Sequence, residues 1–104
     1  MRKRRYEILL PVRDNDGRLV SWELLEQTRE ELVARFGGLT GAPDVVLGTW
    51  VHEGARFDEE MRRLTVDVDN TASNRKFFDR FKATLRKRFE QIEIYIVSYL
   101  VDIV

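Results

Sequence analysis

The sequence predicts an α+β sandwich with elements in the order β-α-β-β-α-β, and three observations predict it. The closing stretch, residues 92–104 (IEIYIVSYLVDIV), is the most apolar run in the chain, rich in β-branched and aromatic residues and free of Gly and Pro. That composition reads as a strand. Two segments carry apolar residues at helical spacing, Trp22, Leu25, Leu32, Val33 and Phe36 in one and Phe77, Phe78, Phe81, Leu85 and Phe89 in the other. Between them lie two alternating segments with a reversal at Gly54, which reads as a hairpin.

In chain order, residues 6–12 (YEILLPV) form the first strand, with Tyr6, Ile8, Leu10 and Val12 alternating against Glu7, Leu9 and Pro11. Pro11 cannot donate to a ladder and is expected at the strand end or at a bulge. Asp14, Asn15, Asp16 and Gly17 follow as a turn, since Asn and Asp tolerate left-handed backbone and Gly adopts it freely. Ser21 caps the first helix, Glu23 favours its dipole, and Gly37 and Gly38 end it. Arg29 falls inside the apolar stripe; its stem is expected to pack while its head reaches the edge. Residues 40–43 read as a loop and 45–53 (VVLGTWVHE) as the second strand, Val45, Leu47, Thr49 and Val51 on one side, Val46, Gly48, Trp50 and His52 on the other. The third strand begins within residues 57–63. It alternates Leu64, Val66 and Val68 with Arg63, Thr65, Asp67 and Asp69, a strand buried on one face. Asp69, Asn70 and Thr71 offer caps for a second helix from Ala72 to about Phe89, and Gln91 leads into the last strand.

Two right-handed βαβ crossovers joined by a hairpin place both helices on one face of a four-stranded antiparallel sheet, with spatial order 4-1-3-2. This is the ferredoxin-like sandwich. Its expected core is Ile8, Leu10, Val45, Leu47, Leu64, Val66, Ile94 and Ile96 beneath the helical stripes. The whole chain, residues 1–104, reads as one domain, long enough to bury roughly two thirds of its unfolded surface.

Composition excludes several functions. The chain has no cysteine, which removes disulfides, thiolate metal sites and cysteine nucleophiles. Lys and Arg number 18 and Asp and Glu 18, a balance that argues against a globally basic nucleic-acid binder. The basic start at Arg2, Lys3, Arg4 and Arg5 precedes an apolar run cut short by Pro11 and Arg13, too short for an export signal, and no run approaches a membrane span. A cytoplasmic protein is the expectation.

The runs Arg35 to Gly38 (RFGG), Gly48 to Trp50 with Glu53 and Gly54, Asn74 to Phe78 (NRKFF) and Arg88 to Gln91 (RFEQ) resemble a small family of uncharacterised bacterial proteins. The resemblance spans nearly the whole chain. It implies the ferredoxin-like fold and carries over no catalytic residue.

Alternation leaves one sheet face without helices. It displays Glu7 and Leu9, Trp50 and His52, Arg63, Thr65 and Asp67, and Glu93, Tyr95, Val97 and Tyr99. A patch too aromatic for a solvated face and too charged for a core marks an interface. Leu9, Trp50, His52, Arg63, Thr65, Tyr95, Val97 and Tyr99 are therefore the candidate binding residues, with a homodimer through this face or the edge of the last strand as the expected assembly. A small-molecule or protein partner on the same face is the alternative. His52, the only histidine, is a candidate general base beside Asp67, Glu53 or Glu7. A lone His near a hairpin is more often a half-exposed strand residue, so His52 and Asp67 are weak catalytic candidates. No serine elbow, phosphate loop or ligand spacing appears, and neither metal nor cofactor is expected.

Nucleic acid is weighed on two grounds. A base-stacking sheet needs aromatics on its central strands; here those strands offer Glu7, Leu9, Arg63, Thr65 and Asp67. The second helix is basic, with Arg75, Lys76, Arg80, Lys82, Arg86, Lys87 and Arg88, and could hold phosphates. The first helix, however, carries Glu23, Glu26, Glu30 and Glu31, so ion pairs across the helix seam are the simpler use of these charges.

Overall fold

A computed structural model describes residues 1–104, the side chains of residues 42–44 excepted. Its elements are β1 (Arg2–Pro11), α1 (Trp22–Phe36), β2 (Thr40–His52), β3 (Ala55–Val68), α2 (Ala72–Arg88) and β4 (Tyr95–Asp102). The four strands form one antiparallel sheet in the order β2-β3-β1-β4, the expected order read from the other edge, and the fold is ferredoxin-like.

Local chemistry sets the ends of the elements. Asp14 Oδ1 accepts from the amides of Asp16 and Arg18, and Gly17 takes φ 81° to close that turn. The Ser21 hydroxyl accepts from Glu23 N, the Thr71 hydroxyl accepts from Asn74 N, and Gly37, left-handed, donates to Val33 O. Glu53 and Gly54 both have positive φ (50° and 77°) between the paired residues His52 and Ala55, the backbone of a two-residue hairpin.

The core lies between the helices and the sheet face bearing Tyr6, Ile8, Leu10, Leu64, Val66 and Val68, closed by Leu25, Leu32, Phe78, Phe81, Leu85, Phe89 and Ile94. At one end Tyr6 stacks on Phe78 with ring centroids 3.8 Å apart, and Phe36, Phe77 and Phe81 extend the cluster.

Several expectations need correction. β1 starts at Arg2 rather than residue 6, because the basic start is consumed by the sheet. Lys3 pairs with Asp69 at 2.6 Å, Arg4 donates to Asn70 and Ser98, and Arg5 pairs with Asp67. Residues 40–43 belong to β2, whose register with β3 shifts between Gly41 and Val45. Val45 and Leu47 are exposed rather than core, Leu47 by 78%. The reason is length. Helices of 15 and 17 residues cover about 22–26 Å, whereas the 14 residues of β3 extend about 46 Å, so the hairpin overshoots its roof.

The last strand starts at Tyr95, not residue 92. Glu90 is left-handed, Gln91 N bonds back to Arg86 O, and Glu93 both accepts from Ile94 N and pairs with Lys82 at 3.0 Å, so the chain turns there. In α1, Trp22 and Val33 are exposed, while Thr28 is fully buried in the stripe. Arg29 stays half-exposed beside Glu26 at 3.6 Å. Across the helix seam one ion pair forms among the described residues, Arg88 to Glu31 at 2.7 Å.

Candidate interaction surface on the open sheet face and hairpin arm

Register turns the open face into a series of rows. Asp67, Arg5 and Tyr99 lie abreast, then Thr65, Glu7 and Val97, then Arg63, Leu9 and Tyr95, then Val46, Met61 and Pro11. Beyond these the sheet narrows to β2 and β3 alone, carrying Gly48 opposite Glu59, Trp50 opposite Phe57, and His52 opposite Ala55. The surface thus runs from a polar end through a mixed middle onto an aromatic arm.

The polar end is closed on itself. Arg5 Nε and Nη2 fork onto the two oxygens of Asp67 at 2.7 and 3.0 Å, and the Tyr99 hydroxyl donates to Glu7 Oε1 at 2.6 Å. The carboxylate of Asp67 holds the Arg5 guanidinium more firmly protonated than usual. The bond to Glu7 pushes the Tyr99 phenol up from its ordinary value, because ionisation would place two anions together. Charges satisfied by neighbours on their own sheet fix the face in shape and leave little unpaired charge at this end.

The middle sets the exposed Arg63 beside Leu9 and Tyr95, and the arm adds aromatic and aliphatic side chains. Pro11 and Met61 are buried although no helix covers this face. Met61 folds its methyl group across β2 at Gly48, where a Cβ would run into it, and the Trp50 ring flanks the same spot. Tyr95 is 61% exposed, and Trp50 and Phe57 are exposed as a cross-strand pair. Burial beside this group pushes the Glu59 carboxyl up from its ordinary range. The opposite face of the arm sets Val45, Leu47 and Val51, the last 69% exposed, opposite Arg62, Glu60 and Arg56, with Thr49 bonded to Asp58 at 2.8 Å.

The structure brings Leu9, Arg63, Thr65, Tyr95, Val97 and Tyr99 onto one continuous face with Asp67, and sets Trp50 on its extension. It does not bring His52 to Asp67. His52 is at the arm tip, its side chain 71% exposed and 3.7 Å from Glu53, whereas Asp67 pairs with Arg5, 12 residues and roughly 40 Å farther along β3. Pro11, Phe57, Glu59 and Met61 join the face and were not among the candidates. Extending the alternation of Asp67, Thr65 and Arg63 backwards by twos finds three of them.

No protein-family model matches the chain, and no curated protein matches it in sequence. Solved structures do match in shape. A phage SAM lyase in complex with S-methyl-5'-thioadenosine superposes with a TM-score of 0.62 at 14% identity, over 97% of this chain and 90% of the other. The divalent cation tolerance protein CutA1 from Thermus thermophilus gives 0.62 at 16% identity, over 95% and 82%. A phage SAM lyase in the apo state gives 0.55 at 15%, over 98% and 89%. The fold is shared. At such identities the likeness carries no residue role across. No helix of the structure is long and apolar enough to cross a membrane.

Proposed function

We propose that this chain is a homo-oligomeric interaction module whose copies join through the open sheet face and the β2–β3 arm. The observation that carries this reading is the arm itself, a two-stranded ribbon that leaves its own helices and exposes Trp50 and Phe57 on one side and Leu47 and Val51, among charged neighbours, on the other. An isolated two-stranded ribbon is marginal in water, and exposed apolar surface on both of its faces calls for cover on both. A second copy is the occupant that best fits. The chain's formal net charge of zero offers no long-range repulsion between copies. The four-stranded face gives roughly 500 Å² of projected surface and the two sides of the arm roughly 400 Å², together near the ~800 Å² per partner of a stable interface. A two-fold dimer is the simplest closed arrangement.

Light-scattering molar mass at low and high salt tests this reading on the wild type, Tyr95→Glu and Leu47→Glu. The expected result is an oligomer at both salts, since apolar burial drives it, and folded monomers for both variants, with a lower melting temperature because association no longer stabilises the fold. A wild-type monomer at both salts overturns the reading.

A further inference from the structure

Fewer than half of the 18 cations of this neutral chain meet acids among the described residues. Lys3 pairs with Asp69, Arg5 with Asp67, Arg56 with Asp58, Arg75 with Asp79, Lys82 with Glu93 and Arg88 with Glu31. Arg35, Lys76 and Arg80 form no ion pair among the described residues, and these three line one cavity of about 340 Å³ together with Ser73 and Phe77. The cavity lies where the C-terminal end of α1 meets the N-terminal half of α2. Arg35 is in the last turn of α1, and Ser73, Lys76, Phe77 and Arg80 follow one another on one stripe of α2.

The arrangement concentrates positive potential. Arg35 is set by the aromatic cluster, its guanidinium 4.4 Å from the Phe77 ring centroid and 5.5 Å from that of Phe36. The first turn of α2 has no acidic residue, so the positive end of the helix dipole adds to the three cations rather than being neutralised. Ala83 and Thr84 occupy the next turn of the same stripe and separate the cluster from Lys87. A compact cluster around a concavity suits a small multivalent anion better than a strand laid along the helix.

We propose that this cavity is a binding site for a small phosphorylated compound, with Arg35, Lys76 and Arg80 holding its phosphate oxygens and the Ser73 hydroxyl available to donate to them. Guanidinium groups match phosphate geometry with paired donors, and lysine adds a point charge. The site is on the helical layer, away from the open sheet face, so it stands or falls independently of assembly.

Calorimetric titration with pyrophosphate at low ionic strength is the test. Saturable binding is expected, with Lys76→Gln and Arg80→Gln each weakening it about tenfold or more, the effect of removing one charged hydrogen-bond partner. Arg86→Gln, outside the cavity, is expected to leave binding unchanged. Circular dichroism should show all three variants folded, since these side chains are exposed, and light scattering should show their assembly unaltered. Three results would overturn the proposal: no saturable binding, equal weakening by Arg86→Gln, or a single-stranded oligonucleotide binding more tightly than pyrophosphate with a steep salt dependence, which would make the surface a polyanion track.

Discussion

Arg88 reaches from the last turn of α2 to two residues of α1 at once: Nη2 donates to Glu31 Oε1 at 2.7 Å, and Nη1 donates to the hydroxyl of buried Thr28 at 2.9 Å. Thr28 in turn donates to Leu24 O at 2.9 Å. The side chain of Arg88 is only 8% exposed, and Glu31 Oε2 is buried without a partner, so this clamp joins the helices through polar groups largely withdrawn from water.

Breaking the clamp from either side is therefore destabilising by different amounts. Thr28→Val keeps the shape but removes the acceptor under Arg88, and is expected to cost about 1–2 kcal/mol. Arg88→Met leaves Glu31 without its cation, partly rehydrated at its exposed edge, and is expected to cost about 2–3 kcal/mol, below the range for a fully buried pair. Urea denaturation of both variants measures this.

The Tyr6–Phe78 stack joins β1 to α2 inside the core. Phe78→Ala removes a ring that also contacts Phe36 and Phe77, and should cost about 3–5 kcal/mol, with Phe78→Leu well below that. Thermal and chemical denaturation should agree on the order.

At the arm tip, Glu53 holds φ 50° in a turn that favours Asn-Gly. Glu53→Asn is expected to stabilise by a few tenths to about 1 kcal/mol by relieving left-handed strain, and Gly54→Ala to destabilise by about 1 kcal/mol. Differential scanning calorimetry resolves both signs.

The hydrogen bond from Lys82 holds the Glu93 carboxyl below its usual range, assisted by the Ile94 amide, against a smaller opposing effect of burial. A depressed carboxylate contributes stability that is present above its unfolded value and lost as pH falls through its folded one. Lys82→Gln should move the Glu93 carboxyl titration upward and shorten the acid limb. Neutral-pH stability should hardly change, because both side chains are largely open to solvent. Carbon-13 NMR titration of the carboxyl reads this.

Much of this architecture was legible from residues 6 to 104. Alternation, stripes and caps located both helices and the open face, because each depends on spacing within one element, and the sheet order followed from the element order and crossover handedness. What escaped depends on relations between elements. Val45 and Leu47 alternate as a core strand should, and only the comparison of helix length with strand length shows that no helix reaches them. Thr28 has the spacing of the stripe, three after Leu25 and four before Leu32, but its hydroxyl disguised a core position. The Arg5–Asp67 fork and the Tyr99–Glu7 bond need the register of three strands, which no single stretch encodes. His52, the last residue of β2, and Asp67, near the end of β3, share a face parity yet lie at opposite ends of the ladder between those strands.

The overhanging hairpin has a consequence for how tolerance to mutation is read. Leu47 and Val51 are so exposed that a screen for folded protein would accept almost any residue there. Under the assembly proposed above, a screen that scores association is the one that would find those positions constrained. Two maps of the same substitutions, one scored for folding and one for association, should therefore agree along β1 and α2 and part company along residues 45–59.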